Sequence, residues 1–304
     1  FALILLTVTV LISCKKEKNI KAYTEAEILS ESKKANDFFQ KSFDYQVNLS
    51  PEFQTRLGIK KDYGKLNDNS PEADERDLEI DKKELAWLID SVNVDALSKY
   101  TLLSYKLFKQ RKENSITNYK YRLHNYPVNQ MHGAQSGKPA FMINMHRIDD
   151  VKDAEAYVSR LNTFNKFFSQ LVDNLKTREA LGILPPKFVY DKVIQDSENI
   201  LVGQPFDATT IQSTLLKDFM KKVNKLDIDN ETKSNLETQA KEALLTSVKP
   251  AYEGLISFMQ AQKERANTDD GAWKLPDGEA FYKMALKKTT TTNLTADEIH
   301  EIGL

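Results

Sequence analysis

A chain of 304 residues, 40% of them hydrophobic, is long enough for one large or two ordinary domains and apolar enough to bury a core, which excludes a disordered polymer. Its 43 basic and 44 acidic residues leave a formal net charge of −1, so no field attracts a polyanion and nucleic acid is excluded as a partner. The single cysteine, Cys14, has no disulfide partner within the chain and no second thiolate with which to share a metal.

The first stretch, FALILLTVTVLISCKKEKN, holds ten apolar residues in its first thirteen. A bilayer span needs about 20, so the run fits the hydrophobic region of a signal peptide better than a membrane helix. Leu11-Ile12-Ser13-Cys14 resembles the bacterial lipobox, which makes Cys14 the expected lipidated N-terminus of the mature chain. Residues 1–13 are then a signal-peptide remnant, since neither an initial Met nor a cationic stretch precedes them, and 14–23 are a charged tether. The expected location is the cell envelope, with the membrane as a partner through the lipid. Lys15 after the cysteine favours the outer membrane by resemblance to sorting rules.

From residue 24 onward the pattern is mainly α, and no stretch reads as a flexible interdomain linker, so 24–304 is expected to be a single helical domain. Thr24 and Glu27 have capping-box spacing, and Ser50-Pro51 and Ser70-Pro71 look like N-caps followed by proline at the first helical position. The helix opened by Ser70 should run to about Ser91 with Leu85, Leu88 and Ile89 inward. Tyr119, Tyr121 and Leu123 alternate with polar residues, and after Pro and Gly stops comes the apolar run AFMINM; the pair reads as a small extended or hairpin insertion. Residues 150–180 carry the clearest helical stripe, with Tyr157, Leu161, Phe164, Phe168, Leu171 and Leu175, and Gly182 stops it.

Thr209 or Thr210 should open a further helix through Leu215, Phe219 and Val223. Residues 230–265 stay helical across Pro250, which should kink or split them. Asp277-Gly278 caps a shorter helix, and Thr295 with Glu298 forms a last capping box. No fixed-period repeat is present, which disfavours a solenoid.

The chemistry is sparse. None of His124, His132, His146 and His300 has a second histidine three to five residues away, as most zinc sites require. His300-Glu301 starts a zincin-like His-Glu-x-x-His pattern, but position 304 is Leu. The elbows and glycine-rich loops of acyl hydrolases, nucleoside triphosphatases and dinucleotide enzymes are missing. Catalytic and metal-binding residues are therefore not expected in this chain.

Five stretches in order, LSPEFQTRLGI, NYPVNQMHG, EAYVSRLNTFNKFFSQLVDNLKTREALGILPPKFV, VKPAYEGLISFM and LPDGEAFYKMALKKTTTTNLTADEIHEIGL, resemble the bacterial family called domain of unknown function 885. The resemblance implies a mainly α, zincin-like fold of the gluzincin type. It also implies a zinc metallopeptidase whose zinc helix, His-Glu-x-x-Pro-Gly-His, follows the closing block, so this chain is expected to be the N-terminal part, cut before the zinc-binding half. No cofactor is then expected in this chain, with zinc and a short peptide substrate belonging to the intact protein. Carried over by position, Asn129, Gln130, His132, Gly133, Tyr282 and His300 are the candidates for a substrate cleft; the other reading is that they fix turns and helix contacts. The competing function is a non-enzymatic helical lipoprotein binding an outer-membrane partner or a glycan, for which only Trp87 and Trp273 offer sugar platforms.

Overall fold

The computed structural model describes residues 22–304; Cys14 and the stretch before it lie outside the described residues. Thirteen α-helices occupy those residues, and no β-strand forms among them beyond one isolated bridge between Gln204 and Gln212. Helix α1 (Glu25–Leu49) starts on a reciprocal box in which Thr24 Oγ1 accepts from Glu27 N and the Glu27 carboxylate accepts from Thr24 N at 2.8 Å. Ser50 and Ser70 cap α2 (Pro51–Arg56) and α3 (Pro71–Ser91), each with proline at the start, where its missing N–H costs nothing.

Helix α4 (Lys99–Asn118) packs with α1 and α3 around Ala35, Leu88, Val92, Leu97 and Tyr105. The Phe38 and Trp87 rings stack there with centroids 4.1 Å apart. Ile89 points to solvent instead, because α3 buries only a narrow stripe.

The larger core is built by α5 (Ala134–Met145), α6 (Val151–Asn162), α7 (Phe164–Ala180), α8 (Lys187–Ile200), α9 (Thr214–Val223), α10 (Asn230–Ala243) and α11 (Lys249–Lys263). Helices α12 (Gly278–Thr290) and α13 (Ala296–Gly303) lie at its margin and bury little beyond Gly278.

Three expectations need correction. The extended or hairpin insertion does not form: residues 119–121 make one 3-10 turn, and AFMINM is the second half of α5. That run was ambiguous because a fully buried helix and a fully buried strand read alike. Pro139 sits inside α5 and cannot donate to the carbonyl of Gln135 four residues back. The hydroxyl of Tyr252 on α11 donates to that carbonyl at 2.6 Å and replaces the lost bond.

The stripe at 150–180 is two helices that meet at Thr163. Their break is bridged from outside. Ser247 Oγ donates to the Asn162 carbonyl at 3.0 Å and accepts from Asn165 N at 3.1 Å, joining the last turn of α6 to the first of α7. Ser247 lies in a π-helical turn, Leu244–Val248, directly before Pro250, so the expected proline disturbance is real and serves a packing purpose. Finally, α9 starts at Thr214 rather than at Thr209 or Thr210, because Asp207 takes the backbone and hydroxyl of Thr209 into a loop.

Candidate functional site

Three of the resembling stretches meet on one side of the larger core, around residues 119–133. The turn at 125–133 is self-contained. Asn129 Oδ1 accepts from Met131 N at 2.9 Å and His132 N at 2.8 Å, its Nδ2 donates to the Tyr126 carbonyl, and Ala134 N donates to the Pro127 carbonyl to close the loop. Val128 is fully buried beneath it.

Gly133 has an ordinary φ of −68° but no room: a Cβ there would lie 1.9 Å from Gln135 Oε1 and 2.5 Å from Asn129 N. Gln135 is itself buried, and its Nε2 donates to the Asn129 carbonyl and to Asp196 on α8. Asn129 and Gly133 therefore fix a turn, whereas Gln130, Met131 and His132 form its exposed tip. Tyr282 is half exposed on α12 and His300 exposed on α13. Among the described residues no hydrogen bond or ring contact joins His300 to the turn or to Tyr282.

What the sequence did not single out is the set of contacts that holds this side together. Arg178 of α7 donates to Asn125 Oδ1 at 2.7 Å and to the Asn174 carbonyl at 3.2 Å, and burial lowers its pKa from the usual value. Beyond the Gly182 turn, where φ is +76°, Lys187 N donates to the Asn267 carbonyl. Glu179 binds Arg265 and accepts from Gln262, and the bond from Arg265 holds its carboxyl below the ordinary range.

Lys274 lies 5.8 Å from the Tyr126 ring centroid and donates to the Asp269 carbonyl; burial lowers its pKa. His124 is packed between the rings of Tyr121 and Phe281, at 5.1 and 5.0 Å. Its Nε2 lies 2.8 Å from the Pro276 carbonyl, which can only accept. Nε2 therefore donates to it, and Nδ1 is buried without a hydrogen-bond partner; the Tyr119 hydroxyl nearby in sequence is also buried without a partner.

Beside these groups opens a recess of about 360 Å³, lined by Leu184, Arg265, Asn267, Asp269, Trp273 and Lys274. Trp273 is 70% exposed and offers a ring face at its edge. The polar groups that line it are already oriented by their neighbours, so it can hold an extended polar ligand without ordering long side chains. A larger depression of about 530 Å³ lies between α9 and α10, but its lysine-rich wall touches none of the converging segments.

The residues present do not fit a zinc ion. Among the described residues no three His, Cys, Asp or Glu side chains are placed to hold a metal. His146, at the end of α5, is buried, with Nε2 donating to the Asp153 carbonyl at 2.9 Å and Nδ1 accepting from Arg160 at 2.7 Å. Both ring nitrogens are thereby used. His124 commits one nitrogen to Pro276, and His132 and His300 lie on separate exposed elements.

The fold resembles that of a crystal structure described as "the putative lipoprotein from Colwellia psychrerythraea", with a TM-score of 0.76 at 19% identity. The superposition covers 90% of this chain and 48% of that one, so this chain spans about half the length of its structural neighbour. No curated protein matches it. The sequence matches the family described as bacterial protein of unknown function, DUF885, over residues 51–304, and the chain belongs to that family.

Proposed function

We propose that this chain is the N-terminal, substrate-binding part of an envelope-anchored peptidase that acts on short peptides and takes its zinc ligands from residues beyond Leu304. The observation that carries the reading is the convergence of the 125–133 turn, the Gly182 turn and the 267–282 segment on one recess, with oriented backbone groups and an exposed indole. Such a wall suits an extended peptide, whose backbone offers alternating donors and acceptors. The 48% coverage of the Colwellia chain supports a second part of similar length, and that neighbour's description as a lipoprotein supports an anchor at Cys14. If the recess binds substrate, Trp273→Ala in the longer protein should raise KM for peptides several-fold while leaving kcat and bound zinc unchanged. An unchanged KM would remove the recess from the reading.

One observation favours the non-enzymatic alternative, a helical lipoprotein that binds a glycan. Trp273 stands exposed beside Asn267 and Asp269, and an aromatic face beside amide and carboxylate groups is a sugar-binding combination. Quenching of indole fluorescence by oligosaccharides in this chain, together with inactivity of the longer protein on peptides, would favour it.

A further inference from the structure

We propose that the outer face of α4 is a membrane-docking surface for anionic phospholipid, set beside the point where the anchored tether joins the body. Helix α4 buries Thr101, Tyr105 and Lys112 against α1 and α3. Leu103 lies about 200° round the helix from Tyr105, and there the helix is apolar again. Tyr100, Leu103 and Leu107, spaced three and four residues apart, are 85%, 57% and 58% exposed. A solvent-facing helix side should be polar, and over residues 100–107 this one carries three large apolar side chains, with Gln110 and Asn114 following on the same side.

The charges beside the stripe say what covers it. Residues 99–112 contain five basic side chains and no acidic one. Lys112 is buried against Asp81 and Glu84, and Lys109 pairs with Glu113, but Lys99 and Lys106 flank the stripe on one side and Arg111, held by Gln46, flanks it on the other. Asp95 precedes the segment in the turn before α4. Leucines and a tyrosine bordered by cations are the composition of a helix lying in the headgroup boundary, where the tyrosine ring is favoured and each cation gains from anionic lipid. An acidic protein surface would meet the same cations, and the position of the tether decides between the two.

Position supports the same occupant. The turn that leads into α4 is fastened to the start of α1: Asn93 Nδ2 donates to the Tyr23 hydroxyl at 2.9 Å and Ser98 N donates to Ser32 Oγ at 2.9 Å. Tyr23 is nine residues from Cys14, a reach of at most about 30 Å. An anchored Cys14 therefore holds the Tyr100 end of the stripe near the bilayer at high effective concentration. The other end of α4 points elsewhere, since residues 119–124, about 24 Å along from Leu103, carry α12. The inference rests on the envelope reading only for the proximity of the lipid.

The test removes the lipid and reports from the face itself. In the full chain carrying Cys14→Ser, a polarity-sensitive dye is attached at Leu103→Cys or, as a control on the larger core, at the exposed Leu245→Cys. With vesicles containing about 30% phosphatidylglycerol, emission should shift to the blue at position 103 and not at 245, and neutral phosphatidylcholine vesicles should shift neither. Leu107→Glu, at an exposed position that leaves the circular dichroism unchanged, should weaken binding about tenfold, and Lys106→Glu should weaken it severalfold. Equal shifts at both positions, no shift at 103, binding that survives Leu107→Glu, or a concentration-dependent shift at 103 without vesicles, which marks a second copy, would each overturn the proposal. Loss of docking with peptide hydrolysis by the longer protein intact would count against this surface alone.

Discussion

Arg160 and His146 show how single residues hold the larger core to the segment that follows α2. The Arg160 guanidinium is fully buried with no carboxylate on it; it donates to His146 Nδ1, to Thr55 Oγ1 at 2.5 Å and to the Lys65 carbonyl at 2.9 Å, with the Tyr63 and Phe141 rings 4.9 and 5.0 Å away. Burial pushes its pKa down to about 10 and that of His146 down to about 3, although the Asp153 carbonyl opposes the second shift. The unfolded chain takes a proton on this imidazole near pH 6.5, whereas the folded chain does not until about 3. Between those values the unfolded state binds more protons, so stability is complete above pH 6.5 and falls as the pH drops, by about 2 kcal/mol at pH 5. His146→Gln keeps an acceptor and a donor but cannot titrate. Urea unfolding at pH 7 and pH 5 should show that loss in the parent protein and a smaller one in the variant; equal losses would contradict the assignment.

Tyr252 makes a second prediction at the same scale. Its hydroxyl is the only partner the Pro139 break leaves to the Gln135 carbonyl among the hydrogen bonds of the described residues, so Tyr252→Phe should cost about 1 to 3 kcal/mol in unfolding free energy. A neutral substitution would mean that water replaces the bond.

Among the elements, α6 and α7 carry the centre of the core. Leu161 and Phe168 are each 1% exposed, and Phe168 packs against Tyr252 with ring centroids 4.6 Å apart. Truncating either to Ala should cost about 2 to 5 kcal/mol, read as a lower midpoint in thermal or urea unfolding, whereas an unchanged midpoint would place the core elsewhere. Both positions were legible in the sequence because helical periodicity and size together mark a buried face. So were the caps at Thr24 and Thr295, marked by a glutamate three residues on, and at Ser50 and Ser70, marked by the proline that follows.

The break at Thr163 was not legible, because the partner that makes it tolerable, Ser247, is 84 residues away and becomes available only through a π-helical turn. The same holds for α5. Nothing local says that Tyr252 will satisfy the carbonyl that Pro139 abandons, so an apolar run behind Pro and Gly read as a strand. At the candidate site the sequence marked the 125–133 turn and gave turn-fixing as one reading of its residues, which is the geometry of Asn129 and Gly133. Asn129 and Gly133 turned inward, and the contacts of Arg178, His124 and Trp273 are long-range pairings that periodicity does not encode.

At the scale of the whole molecule, the features divide between two ends. The chain's start, with Tyr23, the turn into α4 and the apolar face of α4, belongs to the side proposed to meet the membrane. The recess, α12 and α13 belong to the far end of α4, where α13 leaves Ile302 74% exposed and Leu304 88% exposed. The proposed function, with zinc ligands outside the described residues, would account for oriented polar groups around a recess and no metal-holding cluster among those residues.

Zinc content is the most direct test of that division. Residues 15–304 and the longer gene product would be dialysed, analysed for metal and assayed on short peptides, with and without a chelator. The account predicts about one zinc per chain and chelator-sensitive hydrolysis in the longer protein, and neither in residues 15–304, because a catalytic zinc needs about three protein ligands in fixed geometry. One tightly held zinc in residues 15–304, removed by the chelator together with peptidase activity, would contradict it.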